Sequence, residues 1–326
     1  MNPARATGTR LLGLLCLVTL LRTPSDAAPP GAGEDAARRA IEGRLMTLSS
    51  VALEFDVEET FLPTLAAPAN GNGAGANAGA DQHVVRTGIS RAAWRFSYLD
   101  GRSRWECRPS PESNAEEVRK EPRLLPVTLD VRTFRPGAAE NLVLRGTDMT
   151  GRIQPSAPIP SDWWVHVALG LWDGDFGGRG WLTPVMLRQM EFARDKDGRA
   201  VLSRRNDVGQ LVKFVYDPKQ DYALVACRRY DATSGAVVTE VTAGDMERTT
   251  NGILLPHTMA ARRYHTIEKR DNYRWRATVT GGAVKPQDNT DEQYYIAWPK
   301  GARVADSRPP QPRVRRIEHD GEKITD

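Results

Sequence analysis

Cysteine, histidine and long apolar runs are all scarce in this 326-residue chain, which holds only three cysteines and five histidines. That excludes a disulfide-dense scaffold and leaves little material for a zinc cluster. The one conspicuous apolar run, Leu11 to Leu21, is about half the roughly 20 residues that a membrane-spanning helix needs. No Gly-x-Ser-x-Gly elbow or His-Glu-x-x-His pair occurs, and the Gly-rich stretch Asp173 to Gly180 lacks the Lys-Ser/Thr ending of a phosphate loop. A strong charge of one sign is missing too. With 45 basic and 41 acidic residues the net charge is +4, too small to argue for nucleic-acid binding.

What is present begins with a leader. Arg5 and Arg10 precede the apolar run, and Ser25-Asp26-Ala27 places small residues at −3 and −1 of a cleavage site. Residues 1–28 therefore read as a secretory signal peptide, and the mature protein is expected in the periplasm or outside the cell. Its removal takes Arg5, Arg10, Arg22 and Asp26, leaving 42 basic against 40 acidic residues. Cys107 and Cys227 remain. In an oxidising compartment they could pair as a disulfide; the alternative is two separately buried thiols.

Periodicity supplies the fold class. Ala37, Ile41, Leu45 and Leu48 recur at helical spacing within Glu34 to Thr47, after which Val51, Leu53, Phe55 and Val57 alternate with polar neighbours as in a half-buried strand. Leu65 to Ala80 is low in complexity and buries too little to offset its ordering entropy, so 65–80 reads as a flexible insertion. Asp100-Gly101 is a two-residue hairpin turn. It sets Tyr98 against Ser103, Phe96 against Trp105 and Trp94 against Cys107, with Arg95 meeting Glu106 on the charged side. Strands follow at Val127 to Phe134 and Asn141 to Arg145, then a short apolar helix at Trp163 to Trp172 and a second at Leu182 to Phe192. From Gly198 an antiparallel meander runs on, punctuated by Asp217-Pro218, Ser234-Gly235 and Asn251-Gly252, with a last strand at Tyr294 to Trp298. The Pro- and Arg-rich residues 307–326 read as an extended, mobile tail, whose Arg308, Arg313, Arg315 and Arg316 read as an inert solvated end, with contact to anionic lipid or cell-wall polymer as the alternative.

Two stretches resemble the periplasmic lipoprotein-carrier superfamily, the outer-membrane lipoprotein-sorting proteins. Leu45 to Thr60 (LMTLSSVALEFDVEET) is similar to that family's opening helix-to-strand segment. Tyr294 to Asp306 (YYIAWPKGARVAD) looks like its Pro-x-Gly-x-x-Val-x-Asp ending. The family's Arg-Pro-x-x-x-x-Trp stretch has no match, since Ser90, Arg91 and Ala92 precede Trp94. The resemblance implies a mainly β fold, an antiparallel sheet curved into an incomplete barrel and covered by an N-terminal helix and short helices near 161–192. It assigns residues 29–306 to one half-barrel domain that carries a hydrophobic ligand without chemistry; the alternative is an envelope sensor or protein-interaction domain of the same fold without ligand transport.

A hydrophobic site needs apolar walls with few polar groups. The candidates are Leu53, Phe55 and Val57 on the first strand, Trp94, Phe96 and Trp105 on the hairpin, and Trp163, Trp164, Val167 and Leu171 on a covering helix. The same residues would equally fill an ordinary core. His166, within an apolar helix, reads as a buried core histidine. His257 and His265 stand too far apart on one strand to share a metal, and Asp173 and Asp175 read as turn residues. The expectation is thus no catalytic residue, metal or cofactor. A hydrophobic ligand or lipid-modified protein is the expected partner, with no nucleic acid, an envelope protein as the alternative partner and a monomer as the expected state.

Overall fold

A computed structural model describes residues 32–61, 88–113, 125–155, 164–172, 181–206, 208–265, 270–286, 289–309 and 312–324. The leader 1–28, the insertion 65–80, Trp163, Asp173 and Asp175 lie outside the described residues. A 16-residue helix, α1 (Ala32–Thr47), opens the fold and leads into β1 (Ser50–Phe61). Then come β2 (Gly88–Leu99), β3 (Arg102–Pro109), β4 (Val127–Arg135), β5 (Ala138–Arg145) and β6 (Asp148–Gln154). Two short helices follow, α2 (Trp164–Ala168) and α3 (Pro184–Gln189). The chain continues as β7 (Glu191–Arg194), β8 (Ala200–Arg205), β9 (Leu211–Asp217), β10 (Ala223–Tyr230), β11 (Val237–Arg248), β12 (Leu254–His265) and β13 (Arg270–Val284). It ends with β14 (Arg303–Asp306) and β15 (Arg313–Arg316).

Among the described residues, all fifteen strands form one sheet, in the order β15-β14-β6-β5-β4-β3-β2-β1-β13-β12-β11-β10-β9-β8-β7. Every pairing is antiparallel except β14 on β6. The end strands β15 and β7 do not meet, so the sheet is mainly antiparallel and not closed into a full barrel. Bulges interrupt the ladder at several places, among them Glu54/Phe55 in β1, and bulges let a sheet this wide bend.

The hairpin register is as the Asp100-Gly101 turn dictates: Trp94 opposes Cys107, Phe96 opposes Trp105 and Tyr98 opposes Ser103. Both turn residues have positive φ, 41° and 83°, which a type I′ turn requires. Arg95 does stand opposite Glu106, but its ion pair is with Glu54 on β1 at 2.8 Å, while Glu106 takes Arg104 at 2.8 Å.

The buried side of the sheet changes face along its width. On the front face, which carries the helices, β1, β2, β3 and β8–β13 bury one large core with α1, α2 and α3. The register of β3 on β4 places Trp105 beside Arg132 and Glu106 beside Val131. The buried apolar residues Val131, Leu142 and Ile153 of β4–β6 therefore point to the back, while Phe134 meets Trp181 on the front. At the back, Val131, Leu142, Ile153 and Val304 form a second core with Ile296, Trp298, Ile317 and Ile324. Gly151 on β6 makes room for it, because a Cβ there would run into the Trp298 ring.

Several sequence expectations need correction. Residues 294–298 do not form a strand. Asp291–Tyr294 is a 3-10 turn, and Trp298 makes one isolated bridge to Glu322, because this segment packs across the back face. The stretch after Asp306, expected to be extended and mobile, contributes β15 and buries Ile317 and Ile324. Arg308 there is held by Asp306 at 3.0 Å. The helix expected over 163–172 is only Trp164–Ala168, and Glu191–Arg194 is a strand where the helix at 182–192 was to continue.

Candidate functional site

The segment carrying α2 and α3 lies over the front face. Its two arms are drawn together by a bridge between Trp172 and Trp181 and by Leu182 N–H donating to the Leu171 carbonyl at 2.8 Å. Thr183 caps α3, its hydroxyl accepting from Met186 N–H at 3.2 Å, with Pro184 at the first turn. Arg38 of α1 then donates to the carbonyls of Leu187 and Met190 at 2.5 and 2.7 Å, and Glu42 holds Arg188 at 2.9 Å. Helix α1 thereby anchors this cover.

Beneath the cover the rings interlock. His166 lies 4.9 Å from Phe96, 5.1 Å from Trp105 and 5.0 Å from Trp181, centroid to centroid. Trp105 also meets Trp94 edge-on at 5.8 Å and Phe55 at 6.4 Å. Trp164 stacks on Tyr273 at 5.8 Å, and its indole N–H donates to the Tyr273 hydroxyl at 3.3 Å. That hydroxyl donates onward to Glu59 at 2.8 Å. Of the sequence candidates, Leu53, Phe55, Val57, Trp94, Phe96, Trp105, Trp164, Val167 and Leu171 all fall in this one front-face core, each less than a tenth exposed. Cys107 and Cys227 belong to the same core and are not joined by a disulfide.

Polar atoms inside this apolar shell are few and telling. His166 Nε2, Trp94 Nε1, Trp105 Nε1 and Ser103 Oγ are buried without a hydrogen-bond partner. Each such atom costs about 1–3 kcal/mol when left unmet. Burial alone drives the His166 pKa down to about 3, so the imidazole is neutral near neutral pH. Burial likewise pushes the Tyr98 hydroxyl up to about 12. Sequence reasoning missed Ser103, Trp172 and Trp181 as members of this cluster. The first was visible as the partner of Tyr98 in the hairpin register; the other two carry no local signal.

Elsewhere, His257 lies near the start of β12 with Nδ1 3.5 Å from Glu247. Among the described residues, no group of three or more His, Cys, Asp or Glu is placed to hold a metal ion. None of their helices is long and apolar enough to cross a membrane. A depression of about 450 Å³ opens at the strand ends between β6, β14 and β15, lined by Thr147, Asp148, Met149, Gly301, Arg303, Val314, Arg315 and Arg316.

No protein-family model matches the chain, and no curated protein does. Among solved structures, the chain has a distant likeness to one described as an outer membrane lipoprotein-sorting protein domain from Vibrio parahaemolyticus. Identity is 9%, covering 80% of this chain and 96% of that one, with a TM-score of 0.44.

Proposed function

We propose that this is an exported, non-enzymatic protein that holds a hydrophobic, acyl-bearing ligand between the front face of its sheet and the cover formed by α2 and α3. One observation carries the reading. Four buried polar atoms without partners, on Trp94, Trp105, Ser103 and His166, gather where the cover meets the hairpin. Three of these side chains can donate from nitrogen, and the fourth is a hydroxyl. An ester or carboxyl group at the head of an acyl chain would meet them, while the chain replaces apolar contacts made by Leu53, Phe55, Val57, Phe96, Trp164, Val167 and Leu171. The cover must swing out to admit it. It consists of two short helices, of which α3 is tied to α1 through Arg38 and Arg188. The domain in this reading begins at residue 29 after cleavage of the leader, extends past residue 306 to include β15 and the back-face residues Ile317 and Ile324, and works in the periplasm or outside the cell.

A second reading is favoured by how completely the same side chains are buried: an envelope interaction domain with a solid core and no ligand. Ser103→Ala and Trp94→Phe separate the two. Each removes an unmet polar atom; Ser103→Ala should lower stability by no more than about 1 kcal/mol, while Trp94→Phe also leaves a cavity and should cost about 1–3 kcal/mol. In a carrier, each should weaken binding of a fluorescent fatty acid by roughly five- to tenfold, the worth of one hydrogen bond. Unchanged affinity in both variants, or no saturable binding by the parent protein, would rule out the proposed site.

A further inference from the structure

We propose that the open end of the front face, across β6, β14 and β15, is a docking surface for the phosphate-bearing face of an anionic membrane. The switch of buried side at β3/β4 leaves this part of the front face exposed, since its strands bury their apolar residues at the back. Arg152 on β6, Arg303 on β14 and Arg316 on β15 project there and are exposed. The register puts Arg303 directly opposite Arg316, and Arg152 opposite Ala305, two residues along from Arg303 and on the same face. Neighbouring strands run about 5 Å apart, so the three guanidinium groups crowd into one patch.

Other charges on this face are answered. Arg132 is paired with Asp130 at 2.6 Å, and Arg145 stands opposite Asp148 across the β5–β6 turn. Among the described residues, Arg152, Arg303 and Arg316 make no ion pair with a carboxylate. Like charges directly opposed on adjacent strands are destabilising. Protection of an exposed sheet edge explains arginine on β15, the edge strand. It does not explain Arg303 or Arg152, which lie on inner strands. Beside them Val314 is 69% exposed, and the depression of about 450 Å³ takes Arg303 and Arg316 into its wall. An open cationic patch with an exposed apolar residue complements lipid phosphates, and arginine binds phosphate through paired N–H donors.

The test uses the full folded protein and vesicles of phosphatidylglycerol or phosphatidylcholine, read by co-sedimentation. The parent protein should bind the anionic vesicles, lose them at raised ionic strength and ignore the zwitterionic ones. The triple variant Arg152→Gln, Arg303→Gln, Arg316→Gln should bind about a hundredfold more weakly, near fivefold for each arginine. Replacing the same three with lysine should retain most of the binding. A charge-matched control, Arg39→Gln, Lys196→Gln, Arg276→Gln, should stay within about twofold of the parent. Equal losses in control and test variants would overturn the proposal. So would binding of inorganic phosphate or an acidic peptide at this patch with no vesicle binding. Fatty-acid binding measured on the same variants should be unchanged, which keeps this surface separable from the carrier reading.

Discussion

The imidazole of His166 stands edge-on to the ring of Phe96, with centroids 4.9 Å apart and planes at 88°. A neutral ring suits that site; a charged one does not, and burial holds its pKa near 3 against 6.5 for a free histidine. Between those values the unfolded chain binds the proton and the native protein refuses it. The contribution is therefore complete above about pH 6.5 and is lost as pH falls toward 3. In that window stability should drop by up to about 1.4 kcal/mol per pH unit from this group. His166→Leu should remove that slope in urea unfolding across pH; an unaltered slope would mean the imidazole is not held neutral.

Glu140 behaves in the opposite sense on the back face. Its carboxylate accepts from Ile296 N–H at 2.7 Å and faces Arg135 at 3.1 Å, while Arg135 lies over the Tyr295 ring at 4.2 Å. Burial outweighs these partners and raises its pKa above 4.5. The native state keeps the proton longer than the unfolded chain, so this contribution is present at low pH and lost as pH rises through the folded value. Glu140→Gln should flatten that part of the stability profile. Glu140→Ala should cost about 3–5 kcal/mol, because it takes the carboxylate from a buried guanidinium and from Ile296. Chemical denaturation of both variants checks it.

Gly151 and Trp298 are predicted to be coupled. Gly151→Ala should lose about 1–3 kcal/mol through overpacking against the indole. Trp298→Leu alone should cost about 3–5 kcal/mol as a large-to-small change in a filled core. The double variant should be more stable than the two losses added together. Simple additivity would mean the two do not share the space.

Arg38 is predicted to keep the cover shut. Arg38→Met removes two hydrogen bonds to the end of α3, about 2 kcal/mol together. Amide exchange over 184–190 should then speed about thirtyfold, with the β1–β2 amides unaffected. Equal acceleration in both places would make Arg38 a general stabiliser.

Local chemistry was legible in the sequence; long-range packing was not. The Asp100-Gly101 turn supplies its own register, so the Trp94/Cys107 and Phe96/Trp105 pairs followed from it. Strand β6 (DMTGRIQ) buries Ile153 alone, which leaves no alternation to read. Strand β7 hid behind the apolar spacing of the preceding helix. The back-face core draws Trp298, Ile317 and Ile324 from a stretch rich in proline and arginine, and only its docking on Gly151 and Val304 gives it order. The site candidates followed from strand parity. That the unmet polar atoms of Ser103, Trp94, Trp105 and His166 converge depends on the chain returning over the hairpin, which no local pattern encodes.

The most direct measurement of the carrier reading is native mass spectrometry of the leader-free protein after gentle purification, followed by titration with a fluorescent fatty acid. The account predicts co-purifying acyl-bearing mass, or saturable one-to-one probe binding that quenches tryptophan emission. A ligand-free protein that is fully folded by circular dichroism, yet takes up no probe at any concentration, would contradict it.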